Sequence, residues 1–191
     1  MARIGILALQ GAFLEHEQLF RRLGAEAVEV RLPEQLEGLD GLVIPGGEST
    51  TISLLMDSYG LRDPIIQMSR RGVPLWGTCA GMIILSRNVQ DARVRSLDLM
   101  DLQVVRNAFG RQIDSFEADL PVPALGEKPF RAVFIRAPIV ASVTNGVEVL
   151  ASLPDGRIAA ARQGNLLATA FHPELTDDPR FHQLFLRMAN P

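Results

Sequence analysis

A lone cysteine, a His-Pro-Glu tripeptide and a pair of adjacent glycines supply the residue types for nucleophilic catalysis. Val73-Pro-Leu-Trp76 runs into Gly77-Thr-Cys79-Ala-Gly81 and then Met82-Ile-Ile-Leu85. A short apolar strand, a Gly-x-Cys-x-Gly turn and a helix make a nucleophile elbow with cysteine in the place of serine. The flanking glycines permit a sharp turn and a close approach of backbones. Such a turn lifts the sulfur above the sheet, at the positive end of the following helix, which favours thiolate over thiol. The Ala80 N–H then faces the place where an oxyanion would form. The plain alternative is a small buried hydrophobe that only fills space.

His172-Pro173-Glu174 follows the apolar run Leu166–Phe171. A residue before proline is held extended, so the sequence predicts that His172 continues that strand. In an extended segment residues i and i+2 share a face about 6.6 Å apart, which would project His172 and Glu174 together. The carboxylate would then hold one imidazole tautomer, the base and orienter of a triad. Alone, such a tripeptide also serves as a turn or cap. His16 and His182 fall in helical patterns and read as structural, solvated or partly buried residues; Glu15 and Glu17 read as a solvated helix face.

Pro45-Gly46-Gly47-Glu48-Ser49-Thr50-Thr51 joins a strand to a helix. It is not a phosphate loop of the G-x-x-x-x-G-K-[ST] type, and Lys128 is the chain's sole lysine. A tight turn with Ser49 or Thr50 as helix cap is one reading; a second oxyanion donor at Gly47 is the other. The Gly46-Gly47 peptide has no side chain to oppose a flip, which suits a switch. The Gln10-Gly11 turn should lie at the same end of the sheet.

Around these motifs, strands at 4–9, 25–31, 41–44 and 73–76 alternate with helices at 13–23, 49–59, 64–71 and 80–87. The alternation predicts an α/β fold, a flavodoxin-like three-layer sandwich with a mostly parallel central sheet. After residue 96 the texture turns to strands, at 102–105, 112–118, 130–135, 147–152, 157–163 and 166–171. Gly164-Asn165 should form a hairpin turn and 179–188 a closing helix, giving an antiparallel C-terminal extension.

Composition narrows the class. The 191 residues, 47% hydrophobic and 21% charged, suit a single domain over 1–191 with a core large enough to need no metal or disulfide staple. The 19 basic and 22 acidic residues give net −3, without the basic footprint of a nucleic-acid binder. A single cysteine suits a reducing, cytoplasmic setting. No apolar run reaches membrane-spanning length, and the three histidines form no metal-ligand cluster.

The combination Gly77-Thr-Cys79-Ala-Gly81, His172-Pro-Glu174 and Pro45-Gly-Gly-Glu48-Ser resembles the class I, triad-type glutamine amidotransferases. Leu7–Phe13, Ile44–Thr50, Arg106-Asn-Ala-Phe-Gly-Arg-Gln112 and Phe134-Ile-Arg-Ala-Pro138 are similar to the glutaminase subunits of pyridoxal 5′-phosphate synthases, and the similarity runs from residue 3 to about 188. The stretch Asn88–Asp101 and the pair Ile139-Val140, where an aromatic is expected, depart from the pattern outside every motif. The resemblance implies hydrolysis of L-glutamine to glutamate and ammonia without a metal or organic cofactor. It also implies a hetero-oligomer with a barrel-shaped synthase subunit that uses the ammonia. Carried onto this chain, it makes Cys79 the nucleophile, His172 the base and Glu174 the orienter. Gly47 and Ala80 form the oxyanion hole, and Gly47, Glu48, Ser49, Arg106, Ile135 and Arg136 the glutamine site. Small-chaperone, peptidase and deglycase proteins of flavodoxin-like fold share a cysteine elbow, but with His directly after Cys where this chain has Ala80. A glutaminase of another pathway, such as imidazole glycerol phosphate synthesis, is the nearer rival.

Overall fold

The computed structural model describes residues 1–105, 115–144 and 146–190. The first half alternates: β1 (Arg3–Leu7), α1 (Phe13–Arg22), β2 (Glu26–Val30), β3 (Gly41–Ile44), α2 (Ser49–Ser58), α3 (Arg62–Arg70), β4 (Leu75–Thr78) and α4 (Ala80–Leu85). The second half holds β5 (Ser86–Val89), β6 (Met100–Val105), β7 (Ser115–Leu120), β8 (Phe130–Ile135), β9 (Ile139–Val143), β10 (Glu148–Ser152), β11 (Ile158–Gln163) and β12 (Leu166–Thr169), then α5 (Arg180–Ala189). Short 3₁₀ turns at Pro33–Leu36, Pro123–Leu125 and Pro173–Leu175 each open on proline, whose fixed φ is ready for the first helical position.

One large sheet runs β2-β1-β3-β4-β12-β11-β9-β6-β5, with β10 paired to β11; β7 and β8 form a separate antiparallel pair. From β2 to β12 every pairing is parallel. Beyond β12 the sheet turns antiparallel, except where β5 joins β6. β3, β4 and β12 are buried throughout, as strands covered on both faces must be. Successive residues of β4 show the layering. Trp76 packs against His16 of α1 and Phe181, His182 and Phe185 of α5 on one face. Gly77 lies against Gly81 of α4 on the other.

The sandwich with its antiparallel extension matches the sequence reading; several local expectations do not hold. α4 stops at Leu85 rather than residue 87, and Ser86 opens a strand while its hydroxyl donates to Met82 O at 2.7 Å. β5 and β9 were not expected. α3 starts at Arg62, so Pro64 sits inside its first turn. The cap of α2 is Glu48, whose carboxylate accepts from Thr50 N at 3.3 Å and Thr50 Oγ1 at 2.8 Å, rather than Ser49 or Thr50. β7 begins at Ser115, and residues 112–114 of the expected strand lie outside the described residues.

Candidate active site

The carboxyl ends of β1, β3, β4 and β12 lie side by side, with Ile44 opposite Gly77 and Thr78 opposite Thr169. The loops that leave these ends converge, as ligand-binding loops do in open parallel sheets. They enclose a pocket of about 620 Å³ lined by Gln10, Gly46, Gly47, Glu48, Ser49, Cys79, Ala80, Ile135, Arg136 and His172 among others.

Cys79 is the residue between β4 and α4, with φ 48° and ψ −103°. A non-glycine residue at positive φ is costly, and the surrounding structure must hold it there. Its N–H donates to Thr169 O at 2.8 Å, and its carbonyl accepts from Met82 N at 3.1 Å. Gly77 and Gly81 make the turn possible: a Cβ on Gly77 would strike the Gly81 backbone, and one on Gly81 would strike Ile44 O. The Cys79 sulfur lies 3.8 Å from Ile135 O, so the pocket end of β8 reaches the elbow.

His172 does not extend β12. The strand ends at Thr169, and His172 (φ −104°, ψ 86°) stands at the head of the Pro173–Leu175 3₁₀ turn that carries Glu174. Proline fixes φ for that turn, so the chain curls where an extended path was expected. The pairing survives by another route: His172 Nδ1 lies 2.6 Å from Glu174 Oε1, with the Glu174 side chain fully buried. The His172 N–H donates to Val133 O at 2.8 Å, tying the turn to β8. The ring fills the space a Gly46 side chain would take. A Cβ there would collide with His172 Cε1 and sit 2.9 Å from Nδ1 and 3.3 Å from Cys79 Cβ.

Burial alone would push His172 down, but hydrogen bonds to Cys79 and Glu174 and their charges outweigh it and raise the imidazole to about 10. Burial alone would raise the Glu174 carboxyl; His16 and His172 beside it outweigh burial and hold it well below the ordinary carboxylate range. A proton is therefore kept on the imidazole and a negative charge on the carboxylate.

The Gly46–Ser49 loop is braced from β1. Glu48 N donates to Gln10 Oε1 at 2.7 Å, and Ala12 N donates to Gly46 O at 3.0 Å. A Cβ on Gly47 would meet Gln10 Oε1, so the bare backbone lets the loop sit against this side chain. Ser49 Oγ is buried and finds no partner among the described residues. Arg136 (φ 44°) is exposed on the pocket wall and makes no ion pair with a described residue.

Of the expected site residues, Cys79, His172, Gly47, Glu48, Ser49, Ala80, Ile135 and Arg136 meet in this pocket, and Glu174 sits directly behind His172. Arg106 lies outside the described residues. His16 and His182, expected to be solvated or partly buried, are fully buried, and His16 Nε2 comes within 3.3 Å of Glu174 Oε2. Glu17 is buried as well, paired with Arg21 at 2.5 Å. The helical spacing of His16 with Leu19 and Phe20 was the available signal that it faces inward. Among the described residues no group of three His, Cys, Asp or Glu side chains could hold a metal ion, and no helix is long and apolar enough to cross a membrane.

Residues 6–190 match the SNO glutamine amidotransferase family. The chain is 60% identical over 186 residues to the pyridoxal 5′-phosphate synthase subunit PdxT of Herpetosiphon aurantiacus, covering 96% of this chain and 98% of that one. It is 58% identical over 189 residues to the protein of the same name from Dehalococcoides mccartyi, covering 98% and 97%. A crystal structure described as a glutamine amidotransferase superposes with a TM-score of 0.93 at 49% identity, covering 98% of this chain and 99% of that one.

Proposed function

The chain belongs to the SNO glutamine amidotransferase family, and from that premise we propose that Cys79, His172 and Glu174 hydrolyse L-glutamine as a triad. The chain is a glutaminase whose ammonia feeds vitamin B6 synthesis, working with a synthase subunit in a hetero-oligomer. We read residues 1–191 as one glutaminase domain, the synthase subunit as barrel-shaped and the setting as cytoplasmic. One observation carries the triad: a cysteine strained to φ 48° shares a pocket with a histidine whose far nitrogen is 2.6 Å from a buried carboxylate.

The chemistry follows from these groups. The Cys79 sulfur attacks the side-chain amide carbon of glutamine, forming a C–S bond and placing charge on the amide oxygen. N–H groups at Gly47 and Ala80 receive that oxyanion. His172 gives its proton to the nitrogen, the C–N bond breaks, ammonia departs and a thioester remains. His172 next takes a proton from water as the oxygen attacks the thioester. The C–S bond then breaks, glutamate leaves, and the thiolate is restored beside a protonated His172. Glu174 keeps its charge throughout, fixing the ring and stabilising the imidazolium.

Substrate recognition uses the pocket wall. Arg106 and Arg136 suit the α-carboxylate, since a guanidinium binds a carboxylate through paired N–H donors. The unpartnered Ser49 hydroxyl and the main chain at Gly47, Glu48 and Ile135 suit the ammonium and amide. The test is ammonia release from glutamine, measured with and without the synthase subunit. No release in either condition would overturn the reading.

A further inference from the structure

Glu174 has two carboxylate oxygens, and His172 takes only one. Oε1 faces His172 Nδ1 at 2.6 Å, while Oε2 is buried and makes no aligned hydrogen bond. The group set against Oε2 is His16 Nε2, 3.3 Å away, from the middle of α1. The same nitrogen is 3.4 Å from Thr78 Oγ1, the residue before Cys79. His16 therefore touches the triad's carboxylate and the strand end that carries its nucleophile.

Behind His16 stands a second histidine. His16 Nδ1 is 2.9 Å from His182 Nε2 of α5, and both rings are fully buried beside Trp76. One proton lies between the two rings, shared by His16 Nδ1 and His182 Nε2, which leaves His16 Nε2 facing Glu174 Oε2 and Thr78 Oγ1.

We propose that His16 is a positioning residue for glutamine hydrolysis, anchoring the second oxygen of Glu174 so that the first stays on His172, with His182 holding the His16 ring in place. The proposal rests on the glutaminase reading and extends the triad inward, to a line of five side chains from Cys79 to His182. The charged and titratable groups around His16 are Glu174 from the 3₁₀ turn and His182 from α5, with Arg22 of α1 acting on His182. Without His16, Glu174 would be a buried carboxylate with a single donor, free to turn and readier to take up a proton.

The test uses the complex with the synthase subunit, comparing the unmodified chain with His16→Phe, which keeps a ring but no donor, and His16→Gln, which restores an N–H. His16→Phe is expected to lower kcat about 10-fold to 100-fold with KM for glutamine within about twofold. The acid limb of the kcat/KM profile should move up by about one pH unit. His16→Gln should recover most of the lost kcat and move the limb back. The pH dependence of Cys79 alkylation by iodoacetamide should shift in the same sense. An unshifted limb with unchanged kcat in His16→Phe overturns the proposal, as does a His16→Gln defect equal to that of His16→Phe, which would mean packing alone. Should His16→Phe not fold, His182→Phe is measured, and an unshifted limb there overturns the proposal. Absence of turnover in the unmodified complex would instead strike the glutaminase reading.

Discussion

His172 Nδ1 donates to Glu174 Oε1 across 2.6 Å, although only Pro173 separates the two and neither lies in a strand. The 3₁₀ turn brings the carboxylate behind the ring, leaving the other imidazole nitrogen to serve the thiol. In the proposed triad the roles are unequal, since the histidine moves protons in both half-reactions and the carboxylate only steadies it. Cys79→Ala and His172→Ala should each lower glutamine turnover by about 10³-fold or more while the chain still folds. Glu174→Ala should be one to two orders of magnitude less severe, by the ratio such triads show. Steady-state ammonia release checks all three, and a Glu174→Ala enzyme as dead as Cys79→Ala would contradict this division.

Gly46 gives a steric prediction. Its missing Cβ is the space shared by the His172 ring and Cys79 Cβ. Gly46→Ala must push the imidazole away from the sulfur, and a misplacement near 1 Å costs about 10² in rate. We expect that loss in kcat with the fold intact. Near-parental kcat in a crystallographically confirmed variant would show that the ring tolerates the shift.

Three buried groups set the pH response of the fold. His182 is held well below its ordinary value of 6.5, by burial first and then by His16 and Arg22, with Glu174 opposing. On acidification the unfolded chain takes up a proton there that the folded chain refuses, so stability falls below about pH 6.5. His172, raised to about 10 against the opposing effect of burial, contributes fully below 6.5 and loses that contribution as pH climbs through about 10. Glu174, lowered, contributes above its ordinary 4.5 and loses this only in strong acid. Urea midpoints should therefore rise from pH 5 to about 6.5 and fall from 7 to 10. His182→Phe should flatten the acid arm; an unchanged arm would place the titration elsewhere.

The Gly46-Gly47 peptide is the candidate switch for partner control. Its carbonyl accepts from Ala12 N, so a flip must break that 3.0 Å bond and disturb the neighbouring Glu48-to-Gln10 contact. A partner that engages this region differently in the two states would bias the flip. With one oxyanion donor worth about 10²–10³ in rate, saturating synthase should raise turnover by up to that factor. Equal rates with and without synthase would remove the switch and leave the triad untouched.

The elbow was legible because Gly77-Thr-Cys79-Ala-Gly81 encodes its own backbone: each glycine stands where a Cβ would strike main chain. His172 and Glu174 were legible as partners, but their geometry was not. The rule for residues before proline describes His172 and says nothing of the 3₁₀ turn that Pro173 opens. Ser86–Val89 escaped notice because exposed Arg87 and Asn88 interrupt any alternation, and Ile139–Val143 because Ala141 and Ser142 are both exposed; pairing with β6 decides them. His16 shows the deeper limit. Periodicity can turn a residue toward the core, but it cannot say that a buried carboxylate will arrive there from 158 positions further along.

The place of β12 between β4 and β11 has a consequence for biosynthesis. β4 and Cys79 leave the ribosome early, yet the neighbour that supports the elbow through Thr169 O and the proposed base and orienter all come from residues 166–174, and His182 follows later still. During translation the nascent chain thus carries a thiol with no base beside it. Chains fold from the N-terminal side as they emerge, and a strand inserted from far downstream must close a long loop before it can pair. On the proposed triad, ammonia production is therefore withheld until the last strand has entered the sheet, and a stalled or prematurely released polypeptide ending before β12 would not consume glutamine.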